Sequence, residues 1–167
     1  SERFTAVHAI HVTREEAAIL AQQKSKVCAC PTTERNLGDG VFPADAFFAA
    51  DTTIALGTDS QIQIDLLEDA RQLEYNLRLQ KLERAVLSPL ASSDNPASEA
   101  ARYLFDTATI NGARSLDAPG GMLASGKPAD FFTVDLDDPS IAGASQNDLL
   151  PGIVFTLSRA AVREVVA

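Results

Sequence analysis

Apolar and polar positions alternate in blocks along this chain. Short apolar runs begin at Phe4, Lys26 and Thr52, far enough apart to hold one strand, one helix and two loops each. After Phe4-Thr5-Ala6-Val7 comes Thr13-Arg14-Glu15-Glu16, in which Thr13 and Glu16 have capping-box spacing. That pair predicts a helix to about Gln23, with Ala17, Leu20 and Ala21 on its buried face. The second run, Lys26–Cys30, stops at Pro31, and the polar, glycine-containing stretch from Thr32 to Gly40 reads as a loop. Pro43 suits the first turn of a short helix over Ala44–Ala50. The third run, Thr52–Leu56, ends in Gly57-Thr58-Asp59-Ser60. Apolar runs without polar alternation are expected of strands covered on both faces, so the pattern predicts parallel β/α units with right-handed crossovers.

A long helix is predicted from Asp65 to about Leu87. Leu66, Ala70, Leu73 and Leu77 share one face of it, and Glu68, Arg71, Arg78 and Lys81 fall on faces read as mostly solvated. A breaker cluster from Ser88-Pro89 to Asp94-Asn95-Pro96 separates it from a helix over Ala97–Ala113. Beyond Asp117 the character changes. Ala129–Leu136, Ile153–Leu157 and Val162–Val166 read as strands between turn-forming Pro and Gly pairs. The boundary therefore falls between β/α units in 1–117 and a small β-rich portion in 118–167. Three β/α units cannot close a parallel barrel, which takes eight. An open sheet of that size leaves edges and apolar faces uncovered, so partner chains or further sequence must complete the fold.

Composition narrows the partners. With 167 residues, 46% of them hydrophobic, the chain has enough material for one core. A net charge of −9 argues against nucleic acid or an anionic membrane, both of which attract cations. No apolar run approaches membrane-spanning length and the opening residues do not resemble a signal peptide. The expectation is a cytoplasmic protein with a small-molecule substrate. Cys28 and Cys30, two residues apart in an apolar strand, read as buried reduced thiols. A metal or redox role is the alternative, and it lacks a second pair to complete a thiolate site.

Both histidines lie in Val7-His8-Ala9-Ile10-His11, at the exit of the first strand, where parallel α/β folds build their sites. His8 reads as a site residue or a satisfied core imidazole; His11, beside the helix cap, reads better as structural. Asp59 at the mouth of the third strand is a metal ligand or general base, or else a helix cap. One Asp with one or two His suits a divalent metal such as zinc, although catalytic zinc usually takes three protein ligands. The loop Pro31–Gly40 lacks phosphate-binding glycine order and reads as substrate-shaping or simply solvated, with Glu34 and Asn36 as its candidate contacts. Ser60 lacks a nucleophile elbow.

Taken together, His8-Ala9-Ile10-His11, Cys30-Pro31-Thr32-Thr33-Glu34-Arg35-Asn36-Leu37-Gly38-Asp39-Gly40 and Gly57-Thr58-Asp59-Ser60 resemble the amidohydrolase superfamily, in its deaminase and chlorohydrolase branch. The Thr-Glu-x-Asn-Leu-Gly-Asp-Gly form of the loop and the Leu73-Glu74-Tyr75…Arg78-Leu79 helix resemble the formimidoylglutamate deiminases within it. Ala108-Thr109-Ile110-Asn111-Gly112-Ala113 and Gly126-Lys127-Pro128-Ala129-Asp130 are similar to that superfamily's last barrel helix and its return to a small sandwich.

The resemblance implies an α/β fold: the C-terminal part, strands six to eight with their helices, of a metal-dependent (β/α)₈ barrel, plus part of a β-sandwich. It makes Asp59 the strand-eight metal ligand and catalytic base. It places His8 beside the attacking water and the reacting carbon, and His11 outside the metal site. One zinc per complete barrel is implied, with its other ligands and most substrate contacts upstream, so this chain alone should hold it poorly or not at all. The implied reaction is hydrolytic deimination, with ammonia released from N-formimino-L-glutamate in histidine degradation. A purine-type deaminase or chlorohydrolase is the alternative. From another class, an inert half-barrel would act by association, either as a homo-oligomer or with the missing N-terminal part.

Overall fold

The computed structural model describes residues 1–89 and 94–167. Strands β1 (Thr5–Val7), β2 (Lys26–Ala29) and β3 (Ile54–Leu56) pair in that order in a three-stranded, all-parallel sheet. The register sets Val7 opposite Cys28 and Ala29 opposite Leu56, so the strands end at a common level. Helix α1 (Arg14–Gln22) connects β1 to β2, and α2 (Pro31–Leu37) with α3 (Ala44–Ala49) connects β2 to β3. The capping box at α1 is present: Thr13 Oγ1 accepts from Glu16 N at 3.1 Å and Glu16 Oε2 accepts from Thr13 N at 2.8 Å.

Helix α4 (Leu66–Lys81) follows β3, and α5 (Pro96–Ala108) and α6 (Ile110–Ser115) come after it. Val27, Ala29, Ile54 and Leu56 pack with Ala17, Phe47, Ala70, Leu73, Leu77 and Leu104 in one core. Along β2 the residues alternate, Val27 and Ala29 buried, Lys26 and Cys28 only half-buried. The expectation of equal cover on both faces therefore fails at β1 and β2. The crossover helices stack on a single face, and among the described residues nothing covers the other as fully. Cys28 is thus half-buried rather than buried; Cys30 is buried, and neither is in a disulfide.

Four further expectations need correction. The stretch after Pro31 is a helix, not a loop. Pro31 at the first helical position is pre-set for it, Glu34 returns its carboxylate to Cys30 N, and Gly38 ends it at φ 73°. Helix α4 stops at Lys81 rather than near Leu87, with Leu82 left-handed at φ 58°. The buried Glu74 carboxylate then takes the amides of Val86 and Leu87 at 2.9 and 3.0 Å, turning the chain back on the helix. The helix expected over Ala97–Ala113 is broken at Thr109, where ψ is −93°. Of the breaker cluster before it, residues 90–93 lie outside the described residues.

Finally, Ile153–Leu157 is not a strand. Leu149–Phe155 forms α7, which packs on α4 and α5 and places Val154 in the main core. The Arg71 guanidinium donates to Val154 O at 2.6 Å, Leu157 O at 2.8 Å and Ile153 O at 3.4 Å, supplying partners for carbonyls that a helix C-terminus leaves open. Arg71 is accordingly largely buried and engaged, not on a solvated face. The remaining strands, β4 (Phe131–Val134) and β5 (Val162–Val166), pair antiparallel as two strands. No described helix is long and apolar enough to cross a membrane.

Candidate active site

The backbone itself turns two side chains out at the same end of the sheet. His8 N still donates to Cys28 O at 2.9 Å, yet His8 and Ala9 are left-handed, at φ 65° and 46°, so the chain leaves the sheet there. Two strands further on, Gly57 N donates to Ala29 O at 3.0 Å, and Asp59 is left-handed at φ 48°. Asp tolerates that region better than most residues with a Cβ. Gly57 is favoured for a different reason. A Cβ there would lie 3.3 Å from Cys28 Sγ and 3.4 Å from Cys30 Sγ, so the two thiols fill the space beneath the turn.

The imidazole of His8 bridges two carboxylates. Its Nδ1 lies 3.3 Å from Glu34 Oε1 and its Nε2 lies 3.6 Å from Asp59 Oδ2. With Glu34 ionised, its carboxylate only accepts and Nδ1 carries the proton of that contact; Nε2 is turned to Asp59. At 3.6 Å the second contact is longer than a hydrogen bond, and it is an ion pair only when the imidazole carries both protons. Glu34 is 2% exposed and Asp59 is 45% exposed at the side chain, so one partner is structural in its setting and the other faces open space. Burial pushes the Glu34 carboxyl above its ordinary range, opposed by hydrogen bonds from Cys30 N and His8. The neighbouring thiols act on each other: contact with Cys30 lowers the Cys28 pKa, while contact with Cys28 and burial push that of Cys30 up.

Thr33, which sequence reasoning passed over, ties α2 to the turn that carries Asp59. Its Oγ1 is 3.0 Å from Thr58 O, 2.9 Å from Ser60 Oγ, and accepts from Ser60 N at 3.1 Å. Ser60 is thereby a turn-holding residue. The usable signal was Pro31 followed by an acid in the first turn, a helix start that would have put Thr33 and Glu34 on rigid structure. His8, Asp59 and Glu34 are brought together. Asn36 and His11 are not: both are exposed.

The residues fit part of a zinc site. Among the described residues nothing donates a hydrogen bond to Asp59, so its oxygens are free to ligate, and a carboxylate oxygen is an ordinary zinc donor. Donor atoms of His8, Cys30 and Glu34 also lie within 4.8 Å of one another, but there the Nδ1 and Oε1 atoms already satisfy each other. Asp59 thus counts as one ligand, and a complete set needs residues from elsewhere.

The parallel β/α frame turns an imidazole and an open carboxylate out over the strand ends, and similarity says which family builds such a frame. Residues 1–167 match the amidohydrolase family throughout, and the chain belongs to that family. It is 36% identical over 165 residues to formimidoylglutamate deiminase of Pseudomonas aeruginosa, covering 99% of this chain and 35% of that protein. An amidohydrolase structure from Brucella melitensis superposes with a TM-score of 0.81 at 32% identity, covering 99% of this chain and 35% of the other. The zinc-complexed atrazine chlorohydrolase of Arthrobacter aurescens TC1 gives 0.76 at 26%, with the same coverage. The chain therefore spans about a third of the length of the relatives it matches.

Proposed function

We propose that this chain supplies the acid–base half of a hydrolytic deiminase site, as strands six to eight of a (β/α)₈ barrel, with N-formimino-L-glutamate as the substrate. On this reading the reaction belongs to histidine degradation, residues 118–167 contribute part of a β-sandwich, and upstream sequence supplies the remaining strands. The observation that carries it is the His8 imidazole held between buried Glu34 and open Asp59 at the strand ends. The similarity to formimidoylglutamate deiminase supports the substrate.

Asp59 would be the carboxylate through which this chain holds zinc. When bound, zinc supplies Lewis-acid activation of water near neutral pH. Asp59 accepts a proton from the attacking water and returns it to the departing nitrogen. His8, fixed by Glu34 at Nδ1, directs Nε2 toward the oxygen that adds to the formimino carbon. The C–N bond breaks, ammonia leaves and an N-formyl amino acid remains. Proton shuttling of this kind contributes ~10²–10⁴-fold.

We expect Asp59→Asn in the complete, zinc-loaded protein to lower ammonia release from N-formimino-L-glutamate by at least about 10²-fold while far-UV circular dichroism stays the same. Turnover within tenfold of the parent would remove Asp59 from the mechanism. A chlorohydrolase remains the second reading, favoured by the likeness to the atrazine enzyme. Chloride release from a chlorotriazine, without ammonia release from the formimino substrate, would select it.

A further inference from the structure

Helix α2 carries both Thr33 and Glu34, and one of its first free amides is met from a distant element. Its N-cap residue, Cys30, makes no side-chain cap, and Pro31 has no amide to offer. The next amide, Thr32 N, donates to Asp69 Oδ1 at 3.0 Å, across to helix α4. Asp69 is fully buried, and neither its second oxygen nor Thr32 Oγ1 has a hydrogen-bond partner among the described residues. Burying a half-satisfied carboxylate is costly, and an apolar or amide residue would serve general packing better.

What this bond controls is the setting of α2. Successive residues of a helix are rotated by about 100°, so where Thr32 is held sets where the next two side chains reach. Those two are Thr33, which meets Thr58 and Ser60 in the Asp59 turn, and Glu34, which meets His8. We propose that Asp69 is a positioning residue for the candidate site: by holding Thr32 N it orients α2 so that Thr33 fixes the Asp59 turn and Glu34 fixes the His8 ring. This rests on the deiminase reading for its kinetic consequence, but not for its geometry.

The test uses the complete zinc-loaded protein with Asp69→Ala, which removes the acceptor, and Asp69→Asn, which keeps an oxygen in place. Should Asp69→Ala not fold, Asp69→Ser, whose hydroxyl is too short to reach Thr32 N, replaces it. Per mole of folded, metal-loaded protein, Asp69→Ala should lose at least tenfold in kcat with KM within threefold, and Asp69→Asn should stay within threefold in both. Independently of turnover, the ring ¹H–¹⁵N signals of His8 should move in Asp69→Ala toward their positions in Glu34→Gln, while those of His11 stay put. An unchanged kcat with unmoved His8 signals would overturn the proposal and leave Asp69 a structural cap. If the parent turns over no formimino substrate, the deiminase reading fails, and the His8 signals alone decide for Asp69: moved supports it, unmoved overturns it.

Discussion

Asp69 occupies a place where a carboxylate is expensive, and its ionisation records that cost. Burial pushes its pKa from 3.8 up to about 6. Between those values the folded chain holds a proton that the unfolded chain has released. Stability from this group is therefore full below the unfolded value and falls as pH rises through the window to about 6. The full effect is on the order of 3 kcal/mol. Urea unfolding at a series of pH values should show this decline in the parent and a flatter profile between pH 4 and 6 in Asp69→Asn. An equally steep decline in both would mean that other groups govern that window. The same residue shows why parts of the site were hidden in the sequence. His8 and Asp59 each end an apolar run, a local signal. Asp69 lies inside a helical pattern, and only its contact with Thr32, 37 positions away, gives it a role.

Elements end where distant or local groups complete their hydrogen bonds, and the two cases differ in legibility. The start of α1 was readable because Thr13 and Glu16 satisfy each other within one turn. The end of α4 was not, because leucines at helical spacing continue toward Leu87 while Glu74 pulls Val86 and Leu87 off the helix axis. Glu74 also accepts from Arg78 Nε at 2.8 Å, so one buried carboxylate serves three donors. Glu74→Ala should cost about 3–5 kcal/mol in chemical denaturation, since it leaves two amides and a guanidinium without their acceptor. A loss below about 1 kcal/mol would show that water replaces the carboxylate there. Helix α7 makes the complementary point. Ile153-Val154-Phe155 is β-prone by composition, but Arg71 and the faces of α4 and α5 accept it as a helix, so tertiary contacts override propensity.

At the scale of the molecule, the parallel sheet has β1 and β3 at its edges and helices stacked on one face. The candidate site has the same incompleteness, with one free carboxylate where catalytic zinc usually takes three protein ligands. We expect this chain, expressed by itself, to retain well under one equivalent of zinc after dialysis, measured by atomic emission, and the complete protein to retain about one. Stoichiometric zinc on the isolated chain would relocate the metal to its own residues, with His8, Cys30 and Glu34 the first to substitute. Amino-acid order alone determined the run spacing, the first cap, the parallel strands and the two residues at their ends, because each depends on neighbours within a turn or on a chain-wide period of apolar positions. Tertiary structure alone decided that Leu149–Phe155 is a helix in its setting, that Glu34 rather than Asn36 meets His8, and that Asp69 holds Thr32. Those outcomes turn on hydrogen bonds and burial between segments distant along the chain, whose free energy exists only once the segments have packed.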